Sequence, residues 1–125
     1  MKLKHQAKVY YDTIEDNTLY IKIEGVYIQK NALEAKDIYE KIINSKIQNV
    51  LLDYTDCKVE FNVHSIILKN TEVQTIFDNG VKKIAGIFPD MNDDITFFET
   101  FFTNRGFNLK AFSNKNDALV WINSI

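Results

Sequence analysis

The sequence predicts an α/β fold, with a five-stranded, mostly parallel sheet, an antiparallel N-terminal edge strand and four helices in the order β-β-α-β-α-β-α-β-α. Two observations support this prediction. The run Val50-Leu51-Leu52 and residues 84–88 are apolar, without the alternation of a strand that has one wet face, which indicates parallel strands covered on both faces. From about residue 31 onward, helical and extended patterns alternate, which favours right-handed parallel crossovers.

Length and composition describe an ordinary globular protein and predict a single domain over residues 1–125. Its 15 basic and 17 acidic side chains leave a net charge of −2, which gives no electrostatic basis for binding nucleic acid. No apolar run approaches the ~20 residues of a membrane span, so no stable membrane insertion is predicted. The single cysteine, Cys57, and a charged amino-terminal segment without an apolar core favour a cytoplasmic protein.

Periodicity and stop signals define the elements. The predicted strands lie at residues 8–11, 19–24, 49–54, 84–88 and 109–112, and the predicted helices at about 31–45, 63–78, 93–105 and 114–125. The turn between the first two strands is too short for a crossover helix, so these strands should form an antiparallel hairpin. Residues 55–61 are expected to form a loop after the central strand.

Individual residues mark the ends and the buried faces of these elements. The markers are Gly25 at the end of the second strand, the capping pair Asn31 and Glu34 and the Ser113 cap at helix starts, and Gly80 and Gly106 at helix ends. The second helix is expected to bury Ile66, Ile67, Val73, Ile76 and Phe77. In the last helix, Trp121 is expected to be a core anchor.

The polar residues after the central strand form the first candidate site. Asp53, Thr55 and Asp56 follow its carboxyl end, and open α/β sheets bind ligands outside those ends. The loop is therefore a candidate for phosphorylation or for contact with a partner. The alternative is a structural turn, in which the Asp and Thr oxygens bind backbone donors of the loop itself.

The third predicted helix carries four phenylalanines: Phe97, Phe98, Phe101 and Phe102. Two adjacent pairs, four positions apart, cover a wide arc of the helix, so one pair should pack on the sheet. The other pair could flank an apolar ligand or a partner surface, and Phe97 and Phe101 are the candidates for that role. The alternative is that all four rings belong to the core.

The remaining reactive residues do not form a site in the sequence. Asp90, Asp93 and Asp94 lie before or at the start of a helix, where acids complement the helix dipole, so no metal site is predicted. His5 and His64 have no second ligand at metal spacing. No nucleophile and base can be paired, so no catalytic residue is predicted. No glycine is left to build a phosphate-binding loop, so no cofactor is predicted.

The element order and four segments resemble the SpoIIAA-like group of STAS domains, which are relatives of the anti-sigma-factor antagonists. The segments are LYIKIEG at 19–25, NVLLD at 49–53, KIAGI at 83–87, and the closing Phe112-Ser113 followed by Ala118, Leu119, Val120, Trp121 and Ile122. The resemblance covers nearly the whole chain. It implies a non-enzymatic regulatory domain that acts through protein–protein interaction, with an anti-sigma or kinase-like regulator as its partner.

The chain departs from this family at the phosphorylation signature. The antagonists carry a phosphorylatable serine after the central strand, at the start of the next helix. Here Thr55 lies earlier, in the predicted loop, and Ser65 lies inside the predicted helix, so neither matches the family position.

Two alternatives to a regulatory module stay open. The group is linked to SEC14-type folds, which implies a small apolar or lipid-like ligand between the third helix and the sheet. A receiver-like phosphoacceptor would use Asp53, although the chain lacks the acidic pair after the first strand and the lysine after the fifth. The sequence does not specify the oligomeric state, and a homodimer is among the possible assemblies.

Overall fold

The structure is a computed structural model, and it describes residues 8–28, 32–60, 67 and 69–124. Its elements, in chain order, are β1 (Lys8–Ile14), β2 (Thr18–Ile28), α1 (Ala32–Ser45), β3 (Asn49–Asp53), β4 (Cys57–Glu60), α2 (Asn70–Asp78), β5 (Lys83–Ile87), α3 (Asp93–Asn104), β6 (Leu109–Phe112) and α4 (Lys115–Ile122). The predicted capping pair Asn31 and Glu34 cannot be placed, because Asn31 and the Glu34 side chain lie outside this description.

The strands form one sheet in the order β1-β2-β3-β5-β6, with β4 paired to β2 off this path. β1 pairs with β2 antiparallel, and every other pairing is parallel. Val50 and Leu51 are neighbours that point to opposite faces, and both are fully buried, as the unbroken apolar run requires. The predicted mostly parallel sheet with an antiparallel first strand is therefore confirmed.

The loop predicted at residues 55–61 is wrong in part, because Cys57–Glu60 form β4. β4 pairs with the distal half of β2, from Gly25↔Cys57 to Ile28↔Glu60. Gly25 therefore does not end the second strand. It has a φ of 105°, a conformation that favours glycine, at the point where β2 changes partner from β3 to β4. β2 consequently pairs with β3 along its first part and with β4 along its last part. The described chain has six strands where five were predicted.

The hairpin turn is shorter than predicted. β1 continues to Ile14, which pairs with Thr18. Glu15 and Asp16 have positive φ angles of 54° and 63°, so only three residues are needed to reverse the chain. Aspartate tolerates this left-handed conformation better than β-branched residues do, which suits Asp16 to so tight a turn.

Helices cover the two faces of the sheet unequally. On one face, α1, α2 and α3 enclose the larger buried cluster, which includes Ile21, Ile42, Val73 and Phe102. On the other face, α4 packs against β3, β5 and β6, and the smaller cluster includes Leu51, Ala85 and Ile122. Ile14 of β1 and Tyr20 of β2 pack against this smaller cluster, whereas Lys8, Tyr10 and Asp12 of β1 are exposed.

The second helix agrees with most of the prediction. Val73 and Ile76 are buried as expected, and Phe77 is half-buried and stacks on Phe107 with ring centroids 5.2 Å apart. Ile67 is 45% exposed, so its predicted burial is wrong, while Ile66 lies outside the described residues. Gly80 follows the end of α2 with a φ of 104°, in agreement with the predicted glycine stop.

Two predictions for the last helix need correction. Its cap is Asn114 rather than Ser113, because the Asn114 side chain accepts a hydrogen bond from the Asp117 backbone N–H at 2.9 Å. Trp121 is half-buried rather than a core anchor, and its ring lies against Phe112 at 5.7 Å. Ala118 and Ile122 provide the buried contacts of α4, because they point toward the sheet one helical turn apart.

Candidate functional site

Asp53 is the buried centre of the candidate site after β3. It is the last residue of that strand and is 4% exposed. Its Oδ1 atom accepts hydrogen bonds from the Thr55 backbone N–H at 2.9 Å and from the Thr55 hydroxyl. Its Oδ2 atom accepts a hydrogen bond from the Tyr20 hydroxyl at 2.5 Å. Both carboxylate oxygens are thus engaged by donors from the turn and from the neighbouring strand.

These hydrogen bonds favour an ionised Asp53 next to a neutral Tyr20. Burial by itself would raise the pKa of Asp53, but the hydrogen bonds from Thr55 and Tyr20 and the nearby Lys22 charge outweigh it, so this pKa lies below its ordinary value. The pKa of Tyr20 is raised, first by burial and then by its hydrogen bond to Asp53. At neutral pH the pair therefore combines an anionic acceptor with a protonated donor.

Backbone hydrogen bonds attach the turn to both neighbouring strands. The Tyr54 N–H donates to Ile87 O at 3.0 Å, and the Gly25 N–H donates to Asp56 O at 3.1 Å. Within the turn, the Cys57 N–H donates to Tyr54 O at 3.1 Å. Thr55 and Asp56 are the exposed residues of this turn. The segment is consequently held in one shape while two of its side chains face solvent.

An ion pair lies beside the turn. Lys22 Nζ is 3.0 Å from Asp56 Oδ2 and 3.6 Å from Glu24 Oε2. The hydrogen bond to Asp56 raises the pKa of Lys22. The Asp56 side chain is 58% exposed, so solvent screens this pair strongly. Lys115 adds a second cation, with its Nζ atom 4.4 Å from the centroid of the Tyr20 ring.

The residues that contact one another around Asp53 include three that the sequence predicted and three that it did not. Asp53, Thr55 and Asp56 were predicted, and the structure brings them together in one turn. Tyr20 and Lys22 were missed, although they alternate with buried Ile21 and so point to the same face. Their position next to Asp53 depends on the register between β2 and β3, in which Lys22 pairs with Asp53, and the sequence does not specify that register. Nothing in the sequence indicated Lys115, because it comes from the far end of the chain.

The predicted aromatic surface on α3 consists of packed rings. Phe102 is fully buried, and Phe97, Phe98 and Phe101 are half-buried. Phe97 and Phe101 stack on each other with centroids 5.8 Å apart, and the Arg105 guanidinium lies 4.0 Å from the Phe101 centroid. Because these contacts already occupy the two candidate rings, their geometry gives no specific support to an apolar-ligand site.

A polar depression lies at the opposite end of the sheet from Asp53. It has a volume of about 430 Å³, and its lining includes Asn17, Asn49, Lys83, Asn108 and Ser124. Lys83 Nζ donates to Trp121 O at 2.8 Å and to Ser124 O at 2.6 Å. These contacts tie β5 to the end of α4. None of the predicted site residues lines this depression.

The structure does not assemble the acidic residues near α3 into a metal site. Asp90, Asp93 and Asp94 are exposed, and Asn92 caps the helix by accepting from the Ile95 N–H at 2.9 Å. Among the described residues, no three His, Cys, Asp or Glu side chains are grouped so that they could hold a metal ion. His5 and His64 lie outside those residues. None of the helices that the structure describes is both long and apolar enough to span a bilayer.

The sequence matches no protein-family model and no curated protein. Solved structures with a similar fold include the following three. An anti-sigma factor antagonist from Mycobacterium paratuberculosis has a TM-score of 0.63 and 7% identity, covering 99% of this chain and 100% of that one. An uncharacterised protein with a SpoIIAA-like fold from Shewanella loihica PV-4 has a TM-score of 0.57 and 17% identity, covering 98% of both chains. The unphosphorylated form of the anti-sigma factor antagonist SpoIIAA has a TM-score of 0.55 and 11% identity, covering 94% of this chain and 100% of that one. The predicted SpoIIAA-like fold is therefore confirmed.

Proposed function

We propose that this chain is a non-enzymatic, cytoplasmic regulatory domain that binds another protein through the turn between β3 and β4. The observation that carries this proposal is the exposed Thr55, whose hydroxyl and backbone N–H both donate to buried Asp53. The similarity to anti-sigma factor antagonists supports a regulatory role. On this basis the expected partner is an anti-sigma or kinase-like regulator.

The turn has the physical properties of a recognition surface. Its backbone is fixed by hydrogen bonds to β2 and β5, so little conformational entropy would be lost when a partner binds. Thr55 and Asp56 present a hydroxyl and a carboxylate to solvent at the carboxyl edge of the sheet. A partner that contacts this edge would need a cation or a hydrogen-bond donor to complement Asp56.

Phosphorylation of Thr55 would break the contact between this residue and Asp53, and so would change the conformation of the turn. A phosphate replaces the hydroxyl proton that Thr55 donates to Asp53, and it adds a charge of about −2. The new charge would lie beside the Asp53 carboxylate, whose burial weakens solvent screening. The existence of a phosphorylated form of SpoIIAA, a protein of similar fold, supports this step.

The geometry does not favour the receiver-like alternative. Phosphorylation of Asp53 itself would need an accessible carboxylate oxygen, yet this residue is 4% exposed and both oxygens accept hydrogen bonds. The apolar-ligand alternative stays a prediction from the family resemblance, since Phe97 and Phe101 contact each other and Arg105.

The test is affinity capture from a lysate of the native cells, with immobilised wild-type chain and three variants. Thr55→Glu removes the hydroxyl donor and adds a charge, so the specific partner should be lost. Thr55→Ser keeps the hydroxyl and should retain it. Lys82→Glu changes an exposed charge beside the polar depression, at the other end of the sheet, and should also retain it.

Circular dichroism of each variant would establish that the fold is intact. Identification of the retained protein by mass spectrometry would then give the partner. Equal recovery of the same proteins by wild type and Thr55→Glu would contradict the proposed site. Loss of the partner with Lys82→Glu, but not with Thr55→Glu, would move the interface to the opposite end of the sheet.

A further inference from the structure

The two outer edges of the sheet differ in how their backbone groups are satisfied. At the β6 edge, the Glu99 side chain of α3 accepts from the Ala111 N–H at 2.7 Å, and Thr103 Oγ1 donates to Leu109 O at 3.3 Å. The Leu109 N–H donates to Phe107 O at 3.0 Å. Side chains and local turns thus close this edge against another strand, which is a common protection of edge strands.

Among the residues that the structure describes, the β1 edge shows one such contact, from the Thr13 N–H to the Asp12 side chain. Among the described residues, β2 is the only strand that pairs with β1, and it does so along all seven residues from Lys8 to Ile14. In an antiparallel strand, alternate residues direct both backbone groups away from the existing partner. The Thr13 N–H bonds to the Asp12 side chain at 2.8 Å, which indicates that Val9, Tyr11 and Thr13 are the outward-directed residues.

Most side chains of β1 are also exposed to solvent. Tyr10 is 50% exposed and Tyr11 is 37% exposed. Tyr10 pairs with Lys22 of β2 and shares its face with Lys8 and Asp12. This is the face on which α4 packs against β3, β5 and β6, and Lys8, Tyr10 and Asp12 are exposed there. A long, exposed edge strand with aromatic side chains is a template for pairing with another strand.

We infer that β1 pairs antiparallel with β1 of a second copy of this chain, about a two-fold axis at Tyr10. In this register Val9 lies opposite Tyr11 of the partner, so the outward-directed backbone groups of the two strands meet. Tyr10 lies opposite Tyr10 of the partner, which forms an aromatic cross-strand pair. Lys8 lies opposite Asp12 of the partner, and symmetry produces this opposite-charge pair twice.

The two registers nearest to this one toward the end of β1 are less favourable. A two-fold axis between Tyr10 and Tyr11 would set outward-directed residues against inward-directed ones, so no ladder could form. An axis at Tyr11 would need the Thr13 N–H, which already donates to Asp12, and would place Lys8 opposite an apolar residue, Ile14. Backbone direction and charge complementarity together therefore favour a second copy in the Tyr10 register over these two registers.

A charge-swap experiment tests the pairing. The dimer dissociation constant would be measured by sedimentation equilibrium for the full chain, from micromolar to millimolar concentration. Asp12→Lys alone and Lys8→Asp alone each create two like-charge pairs, and should raise the dissociation constant about tenfold or more. The double variant Lys8→Asp/Asp12→Lys restores opposite charges and should return it toward the wild-type value. Both residues are exposed, so the fold should be retained.

A cysteine cross-link tests the register independently. Tyr10→Cys, in a Cys57→Ala background, should form a disulfide-linked dimer under mild oxidation, because directly opposed residues have Cβ atoms about 5 Å apart. Asp12→Cys should not, because its symmetry mate lies four positions along the strand. A monomer at every concentration, an unchanged dissociation constant in both single charge variants, or cross-linking through Asp12→Cys would overturn the inference. The cross-link does not depend on the role proposed for Thr55.

Discussion

The two ends of the parallel strands are each organised by one charged side chain, and the charges have opposite sign. At the carboxyl end, the Asp53 carboxylate collects hydrogen-bond donors from Tyr20 and Thr55. At the amino end, the Lys83 ammonium collects acceptors: the carbonyl oxygens of Trp121, Ile122 and Ser124, and the Ser124 hydroxyl. Asp53 thereby connects β3 to β2 and to the following turn, and Lys83 connects β5 to the end of α4.

The difference in burial separates the roles of these two ends. Asp53 is 4% exposed, so its hydrogen bonds form in a poorly screened environment, and removing it would leave the Tyr20 hydroxyl and the Thr55 donors without a charged acceptor. Lys83 is half-buried, and the carbonyls it binds at the end of α4 lie beside solvent that can replace it. The carboxyl end presents the exposed Thr55 in a turn that hydrogen bonds fix to two strands, whereas the Lys83 contacts at the amino end hold the end of α4. For this reason the proposed interaction site lies at the Asp53 end.

The largest expected effect is the loss of Asp53. Asp53→Ala should lower the free energy of unfolding by about 3 kcal/mol, because the Tyr20 hydroxyl and the Thr55 donors lose a charged acceptor. The matched control is Asp56→Ala, which removes an exposed carboxylate of the same turn and should cost less than about 1 kcal/mol. Urea unfolding measures both values. Equal losses in the two variants would show that burial does not distinguish these aspartates.

A smaller effect is expected at the amino end. Lys83→Met keeps the aliphatic length but removes the ammonium group, and should cost about 1.5 kcal/mol through lost hydrogen bonds and the lost charge at the end of α4. Lys82→Met is the control, because Lys82 is exposed and its backbone hydrogen bond to Gln48 survives the change; it should alter stability by less than about 0.5 kcal/mol. If Lys83→Met lowered the free energy of unfolding as much as Asp53→Ala does, the proposed difference between the two ends would be contradicted.

The sequence predicted the sheet well where burial leaves a pattern on consecutive residues. Val50 and Leu51 are both fully buried, and an unbroken apolar run is the pattern that such burial produces. β4 was missed because it is only four residues long and its partner is the distal half of β2. Gly25 was interpreted as a strand end, although glycine equally permits the positive φ at which a continuous strand changes partner.

The candidate site was predictable only in the part that is local in sequence. Asp53, Thr55 and Asp56 follow a strand end directly, so their position alone suggested a site. The Tyr20 hydroxyl bonds to Asp53 across 33 positions, and that contact depends on a strand register that the sequence does not specify. Helical spacing likewise could not separate a half-buried Trp121 from a buried one, because that distinction depends on where α4 crosses the sheet.

The proposed role of the turn requires an ionised Asp53, and a carboxyl NMR titration of that residue measures this directly. Its midpoint should lie below the ordinary aspartate pKa of about 3.9, since Thr55 and Tyr20 donate to the charged form. Because the folded pKa is the lower one, the stability that Asp53 contributes is present above about pH 4 and is lost as the pH falls through the folded pKa. Tyr20→Phe should raise the midpoint toward the ordinary value. A midpoint at or above that value in the wild-type chain, or no change in Tyr20→Phe, would contradict the account.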